Sequence, residues 1–344
     1  MTNANIKRVL LLAPLSPGSG NAATAFRLAD GLRHSSQIIV DCISVDTLRM
    51  ESDSLLDSVR QYDAVLALHA YRAGHLLTPI YENNSDLPPL ILIFAGTDLH
   101  SCEPEWLPTI EQIVPKARGL VCFSFEWKKY AENIYKNLLT CCITVIPQSV
   151  QMSPSISERL PSSTSFSSSP KTILWAGGIR EVKDPLLAIR IMSHLPDHEF
   201  QLIIVGYEAD PSLVDAIHSS CLGSNITLIG GQPTDYVHEL MCSAFACLNT
   251  SINEGMCLAI LEAMVLRLPV VARRNIGNIS IIRDGQTGLL YETAEQAAEC
   301  LLKLAMDTKL RETVIQQAAE QVKTFHNPES ESTAYQNLIL SLIK

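Results

Sequence analysis

The stretch Leu248–Pro269 reads LNTSINEGMCLAILEAMVLRLP. An apolar strand ends near Asn249, a polar loop carries Glu254 and Gly255, and a helix starts near Cys257. Leu258, Ile260, Leu261, Ala263 and Met264 make that helix apolar, and a second β-branched run begins at Pro269. Strand, loop, helix and strand in this order are the repeating piece of a parallel sheet covered by helices. Glu262 sits among the apolar helix residues, where an unpaired carboxylate is costly. Glu254 precedes it in the loop. Two carboxylates so placed can address different hydroxyls of one sugar nucleotide. The backbone N–H groups of Gly255, Met256, Cys257 and Leu258 crown the helix N-terminus and can receive a diphosphate. The competing reading makes Glu254 a helix cap and leaves Glu262 exposed.

The same alternation extends outward in both directions. Strand-like runs fall at Thr172–Ala176, Phe200–Val205, Ile226–Ile229, Ala246–Asn249, Pro269–Ala272 and Gly288–Leu290, with helical spacing in Asp184–His194, Asp235–Ser243, Cys257–Leu266 and Ala294–Lys303. Upstream, the runs Arg8–Ala13, Gln37–Val45, Ala64–His69, Leu90–Phe94, Gly119–Phe123 and Ile143–Ile146 repeat the pattern, separated by helical segments such as Ala22–Arg33 and Glu126–Asn137. Between the two series, Ser149–Ser169 is dominated by Ser and Pro and has little periodicity, as a linker does. The expected fold class is therefore α/β: two doubly wound, Rossmann-like domains facing across a cleft, with ligands at the carboxyl ends of the strands. The expected division is an acceptor-side domain over residues 1–150, a linker over 151–170, a donor-binding domain over 171–326 and a final helical segment over 327–344.

Composition narrows the function. The 344 residues are 47% hydrophobic and 18% charged, so the chain folds rather than remaining disordered. A net charge of -10 argues against a nucleic-acid partner, while leaving room for a small basic phosphate pocket. Ten cysteines occur without a C-x-x-C pair, several inside apolar runs, as buried free thiols do. The apolar run Val9–Leu15 passes straight into Pro17-Gly18-Ser19-Gly20 and reads as a first strand, not a signal peptide. No run approaches the ~18 residues of a membrane span. N-x-S/T sequons stand at Asn83, Asn225, Asn249 and Asn278, and the last two adjoin the candidate site, where a glycan would obstruct it. A cytoplasmic location is expected. A nicotinamide enzyme is disfavoured, because the first glycine loop lacks the G-x-G-x-x-G spacing and Asp46 is a poor ribose ligand.

Further motifs make the pattern specific. The pair Glu254 and Glu262 resembles the E-x7-E motif of glycosyltransferase family 4, the group 1 glycosyltransferases. The following RLPVVARRNIGNISIIRDGQTGLLY, residues 267–291, resembles that family's G-x-P-V-V-A … G-G … G-x-T-G signature. Gly277 matches one glycine of its pair, while Leu268 and Asn278 depart from the usual glycines. ILWAGGIREVKDPLLAI, residues 173–189, resembles the segment whose arginine and lysine neutralise the donor diphosphate. Lys183 matches the lysine, Gly178 stands where the arginine belongs, and Arg180 lies two residues later. Without the carboxylate pair, Lys183 reads as a surface residue before a helix capped by Asp184, with Pro185 in its first turn.

The resemblance implies the GT-B fold, a nucleoside-diphosphate-sugar donor, an acceptor of unknown identity, retention at the anomeric carbon, and no metal or cofactor. It implies that Glu262 binds the donor ribose and Glu254 the transferred sugar. Gly20 and Asn21, in the loop after strand one, carry over as donor-side residues. His69 and Asp98 follow strands of the first half and are candidates near the reacting centre; their competing readings are a core histidine and a turn cap. FHNPESESTAYQNLI, residues 325–339, resembles the family's closing segment, whose last helix returns to the first domain. Two alternatives remain at the level of sequence: a sugar-nucleotide epimerase or hydrolase on the same fold, and a catalytically silent binder or scaffold, which the glycine at 178 keeps open.

Overall fold

The computed structural model describes residues 6–48, 52–100, 104–153, 156, 170–221 and 225–343. Most of the expected Ser/Pro linker lies outside them. The chain clusters into two compact units, Met1–Ser149 with Pro328–Lys344, and Val150–Asn327.

The first unit has a six-stranded, all-parallel sheet made of β1 (Lys7–Ala13), β2 (Ile38–Ser44), β3 (Ala64–Leu68), β4 (Leu90–Ile93), β5 (Gly119–Cys122) and β6 (Ile143–Val145). Its order is β2-β1-β3-β4-β5-β6. Helices α1 (Gly20–Arg33), α2 (Ser52–Val59), α3 (Ala70–Asn83), α4 (Thr97–His100), α5 (Leu107–Ile113) and α6 (Phe125–Ile134) connect the strands. Every residue of β3, β4 and β5 is buried, which explains why their sequences are continuous apolar runs without alternation.

The second unit repeats the scheme. Its strands are β7 (Lys171–Ala176), β8 (Phe200–Val205), β9 (Ile226–Ile229), β10 (Ala246–Asn249), β11 (Val270–Arg273) and β12 (Leu289–Tyr291), in the order β12-β11-β10-β7-β8-β9. Its helices are α7 (Pro185–Met192), α8 (Pro211–Cys221), α9 (Thr234–Ser243), α10 (Leu258–Val265), α11 (Ile276–Ile279), α12 (Ala294–Met306) and α13 (Thr308–Phe325). This is the dinucleotide-binding strand order, and its direction reverses between β7 and β10. The loops leaving those two strands are the ones that carry Lys183 and Glu254.

The last helix, α14 (Pro328–Leu342), belongs to the first unit. Arg27 of α1 donates through Nε and Nη2 to the two carboxylate oxygens of Glu331, at 3.0 and 3.1 Å. Ser149 also donates to Glu331, and Ser332 donates to the Gly31 carbonyl. Tyr335 and Ile339 fill the apolar space beneath.

No helix among the described residues is long and apolar enough to cross a membrane.

Candidate active site

At the switch point of the second unit, two loops are sewn together by their backbones. Trp175 of β7 donates its indole N–H to Thr250 Oγ1 at 2.8 Å, and the Thr250 hydroxyl donates in turn to the Lys183 carbonyl at 2.7 Å. The Ile252 N–H donates to the Val182 carbonyl at 2.9 Å. From the other side, the Tyr291 hydroxyl holds the Asn249 carbonyl at 3.0 Å. Trp175 and Tyr291 belong to the unit's apolar core, so the core fixes where both loops stand.

The loop after β7 passes through a short 3-10 turn, Glu181–Lys183, and reaches Asp184 at φ 44°. This left-handed residue turns the chain into α7, caps it by accepting from the Leu187 N–H at 3.2 Å, and is followed by Pro185. The capping reading of Asp184 is therefore right, and it coexists with a second role for its neighbour. Lys183 Nζ lies 2.5 Å from Glu254 Oε1, with the two side chains 17% and 8% exposed. Ser251 donates to the same carboxylate oxygen at 2.6 Å and Asn249 Nδ2 approaches it at 3.4 Å. Burial alone would raise the Glu254 carboxyl, but the Lys183 charge and these hydrogen bonds outweigh it and hold the group below its ordinary value.

Glu254 thus faces Lys183 rather than capping the following helix. The N-cap of α10, Cys257, makes no side-chain cap hydrogen bond. Met256 and Cys257 are buried, Gly255 and Leu258 half-buried. Burial pushes the Cys257 thiol well up, so it stays protonated. Glu262, one face of α10 further on, is 22% exposed and lies 3.7 Å from Nε2 of His238. It is half-buried rather than a fully solvated surface carboxylate.

Arg180 is exposed, but its position is informative. A side chain built at Gly178 would begin 3.6 Å from the Arg180 Nε. The arginine therefore folds back across the glycine, into the neighbourhood a side chain at 178 would occupy. Arg273, at the end of β11, reaches Asp184 Oδ2 at 3.1 Å and so pairs with the residue that follows Lys183; the sequence reading misses it.

The glycine-rich segment after β11 also differs from expectation. The left-handed residue at the end of α10 is Arg267 at φ 58°, not Leu268, and Leu268 is a buried core residue. Asn278 needs no glycine either. Its amide is fully buried and donates to Asn249 Oδ1 and to the Arg273 carbonyl, both at 2.8 Å. Gly277, by contrast, packs directly on the Glu254 backbone. Two of the four sequons, at Asn249 and Asn278, are buried structural amides.

In the first unit the strand order reverses between β1 and β3. Gly20 is the first residue of α1, behind the N-cap Ser19, and nothing lies within 4 Å of where its side chain would start. Asn21 follows it, half-buried. His69 follows β3 at φ 76° and caps α3 by accepting from the Arg72 N–H at 3.4 Å. That interaction leaves the proton on Nε2, which donates to Thr97 Oγ1 at 3.0 Å. Burial lowers the His69 pKa despite the nearby Asp98 carboxylate. Asp98 itself is wholly buried and accepts from the N–H groups of Ala70, Ala95 and Gly96. Its carboxylate ties together the segments that follow β3 and β4 beside His69, as the turn-cap reading expects.

These features define a class. Residues 157–321, which fall within the second unit, match the family model described as glycosyl transferases group 1. Along its whole length the chain is similar to glycosyltransferase 1 domain-containing protein 1 of Xenopus tropicalis, with 29% identity over 97% of this chain and 98% of that one. Among solved structures, sucrose-phosphate synthase from Thermosynechococcus elongatus superposes with a TM-score of 0.78 at 15% identity, covering 98% of this chain and 99% of that one. Anabaena HepE, solved with UDP-glucose, gives 0.79 at 14% identity over 98% and 100%. The chain has the GT-B fold.

Proposed function

We propose that this chain is a retaining glycosyltransferase that moves a sugar from a nucleoside-diphosphate sugar to an acceptor without a metal ion. The observation that carries the reading is the buried Lys183–Glu254 pair at the β7–β10 switch point. A lysine whose ammonium is held on one side by Glu254 has two further N–H groups for a diphosphate. Arg180, folded over Gly178, supplies a second cation from the neighbouring loop. In transfer, the anomeric C–O bond to the diphosphate breaks and a bond to the acceptor oxygen forms on the same face. The acceptor proton passes to the departing phosphate oxygen. Such a step needs positioning and stabilisation of the leaving charge more than a catalytic carboxylate pair. Glu262 anchors the donor ribose and Glu254 the transferred sugar, while the first unit carries acceptor recognition. HepE, a structural relative, binds UDP-glucose, which makes uridine sugars the first donors to try.

The test is a screen of purified protein against UDP-, GDP- and ADP-sugars with EDTA present. Ligand-induced thermal shift and release of free nucleoside diphosphate are followed in parallel. A shift with one donor is expected, with release when an acceptor extract is added. Glu262→Ala is expected to weaken that donor about 10- to 100-fold, the size of losing hydrogen bonds to a charged group. A shift without release under any condition leaves the silent binder as the better description. Arg180→Ala is expected to raise the KM for donor only about three- to tenfold, because an exposed guanidinium is screened by solvent. Unchanged steady-state kinetics in that variant would remove Arg180 from the site.

A further inference from the structure

His238 lies in α9 at the i, i+3 spacing from Met241 that marks the buried face of that helix, and it is 2% exposed. Neither of its ring nitrogens has a hydrogen-bond partner among the described residues. A buried imidazole without partners is costly, and an apolar residue of similar size would fill the space at lower cost. Its Nε2 is nevertheless directed at one group, the Glu262 Oε1 at 3.7 Å. Glu262 in turn sits on α10 with its carboxylate at the surface of the unit, 22% exposed, and no other ion pair within the described residues holds it.

We propose that His238 is the positioning residue of the ribose carboxylate. It carries its proton on Nε2, closes on Glu262 Oε1 when a nucleotide is bound, and pins that oxygen from beneath. The other oxygen, Oε2, is thereby presented to the two vicinal ribose hydroxyls in a single orientation. A free Glu side chain would lose rotamer freedom on binding; one held from its buried side has lost that freedom in advance. The chemistry that senses the contact is the ribose diol, so the proposal concerns discrimination between a nucleotide that has it and one that lacks it. It rests on the assignment of Glu262 to the ribose.

The experiment measures, by calorimetry on the full chain, the affinities of UDP, GDP and ADP and of their 2′,3′-dideoxy forms. The nucleotide with the greatest ribo-over-dideoxy preference is carried forward. Glu262→Ala should abolish the preference. His238→Phe keeps a ring in the space but removes both nitrogens, and is expected to reduce the preference about tenfold, the worth of one hydrogen bond to a charged group. His238→Gln, which can place an N–H where Nε2 stands, should restore most of it. In a Glu262→Ala background, His238→Phe should not lower the affinity for the ribonucleotide any further, whereas a packing defect would. If the Phe variant keeps the full preference while Glu262→Ala loses it, the positioning role is wrong and the ribose assignment stands. If Glu262→Ala also keeps it, both are overturned.

Discussion

Lys183→Ala is expected to reduce turnover by about two to three orders of magnitude, the effect of deleting one preorganised donor at a developing charge. The same change leaves Glu254 buried without its counter-charge. Breaking a pair of this kind costs about 3–5 kcal/mol when fully buried, and less here because Lys183 retains 17% exposure. Two consequences separate the structural from the chemical loss. First, in the double variant Lys183→Met with Glu254→Gln, stability should return while turnover stays low. Second, the pH dependence of stability should change sign at this site. In the native protein the Glu254 carboxyl is held below its ordinary value of 4.5. Its contribution is therefore full above that pH and lost as the pH falls through the lowered value. Without Lys183, burial dominates and raises the carboxyl, so acidification from neutrality should stabilise the single variant. Urea unfolding carried from pH 7 to below pH 4 reads this directly, since the native loss falls under the ordinary carboxyl value and the variant's gain above it. A Lys183→Ala protein that loses stability on acidification just as the native one does would show that the pair is not what holds Glu254 ionised.

Much of this site is visible in sequence, and the reasons for the exceptions are physical. The strands are legible because a parallel sheet covered on both faces demands unbroken apolar runs. The runs at Phe200–Val205, Ile226–Ile229 and Ala246–Asn249 match β8, β9 and β10 residue for residue. The helix α3 is harder to see, because Pro79 inside it removes one donor and interrupts the expected pattern. Glu254 and Lys183 are each visible as motif residues, but their contact spans 71 positions and depends on β7 and β10 being neighbours. Strand adjacency is not written in local spacing. Asp98 shows the opposite limit: a carboxylate after a strand looks available in sequence, and only the structure shows three amides donating to it. His238 gives no signal at all, since one histidine on a buried helix face is indistinguishable from a core residue.

Gly277→Ala tests how the glycine-rich segment serves the site, and its effect should fall on turnover more than on stability. A methyl group at this position would begin 2.2 Å from the Glu254 carbonyl oxygen and 2.7 Å from the Glu254 carbonyl carbon and Cβ. No such approach is tolerated, so one segment must move. α11 cannot retreat easily. Asn275 caps it by accepting from the Asn278 N–H at 2.9 Å and donates to the Ser251 carbonyl at 2.9 Å. Asn278 ties it to Asn249 and to the end of β11 through two bonds of 2.8 Å. The other partner is the loop Ser251–Gly255, which carries Glu254, and any shift there moves that carboxylate. Overpacking of this size costs about 1–3 kcal/mol. A displacement of about 1 Å at a positioning group costs about 100-fold in rate. The expected result is thus a protein that still unfolds cooperatively at a moderately lower temperature, with turnover down by about two orders of magnitude. Replacing the neighbouring Ile279, which is 40% exposed, by Ala should change neither. Should Gly277→Ala retain native turnover, the contact with Glu254 is absorbed elsewhere, and the glycine is required for something other than holding that carboxylate against Lys183.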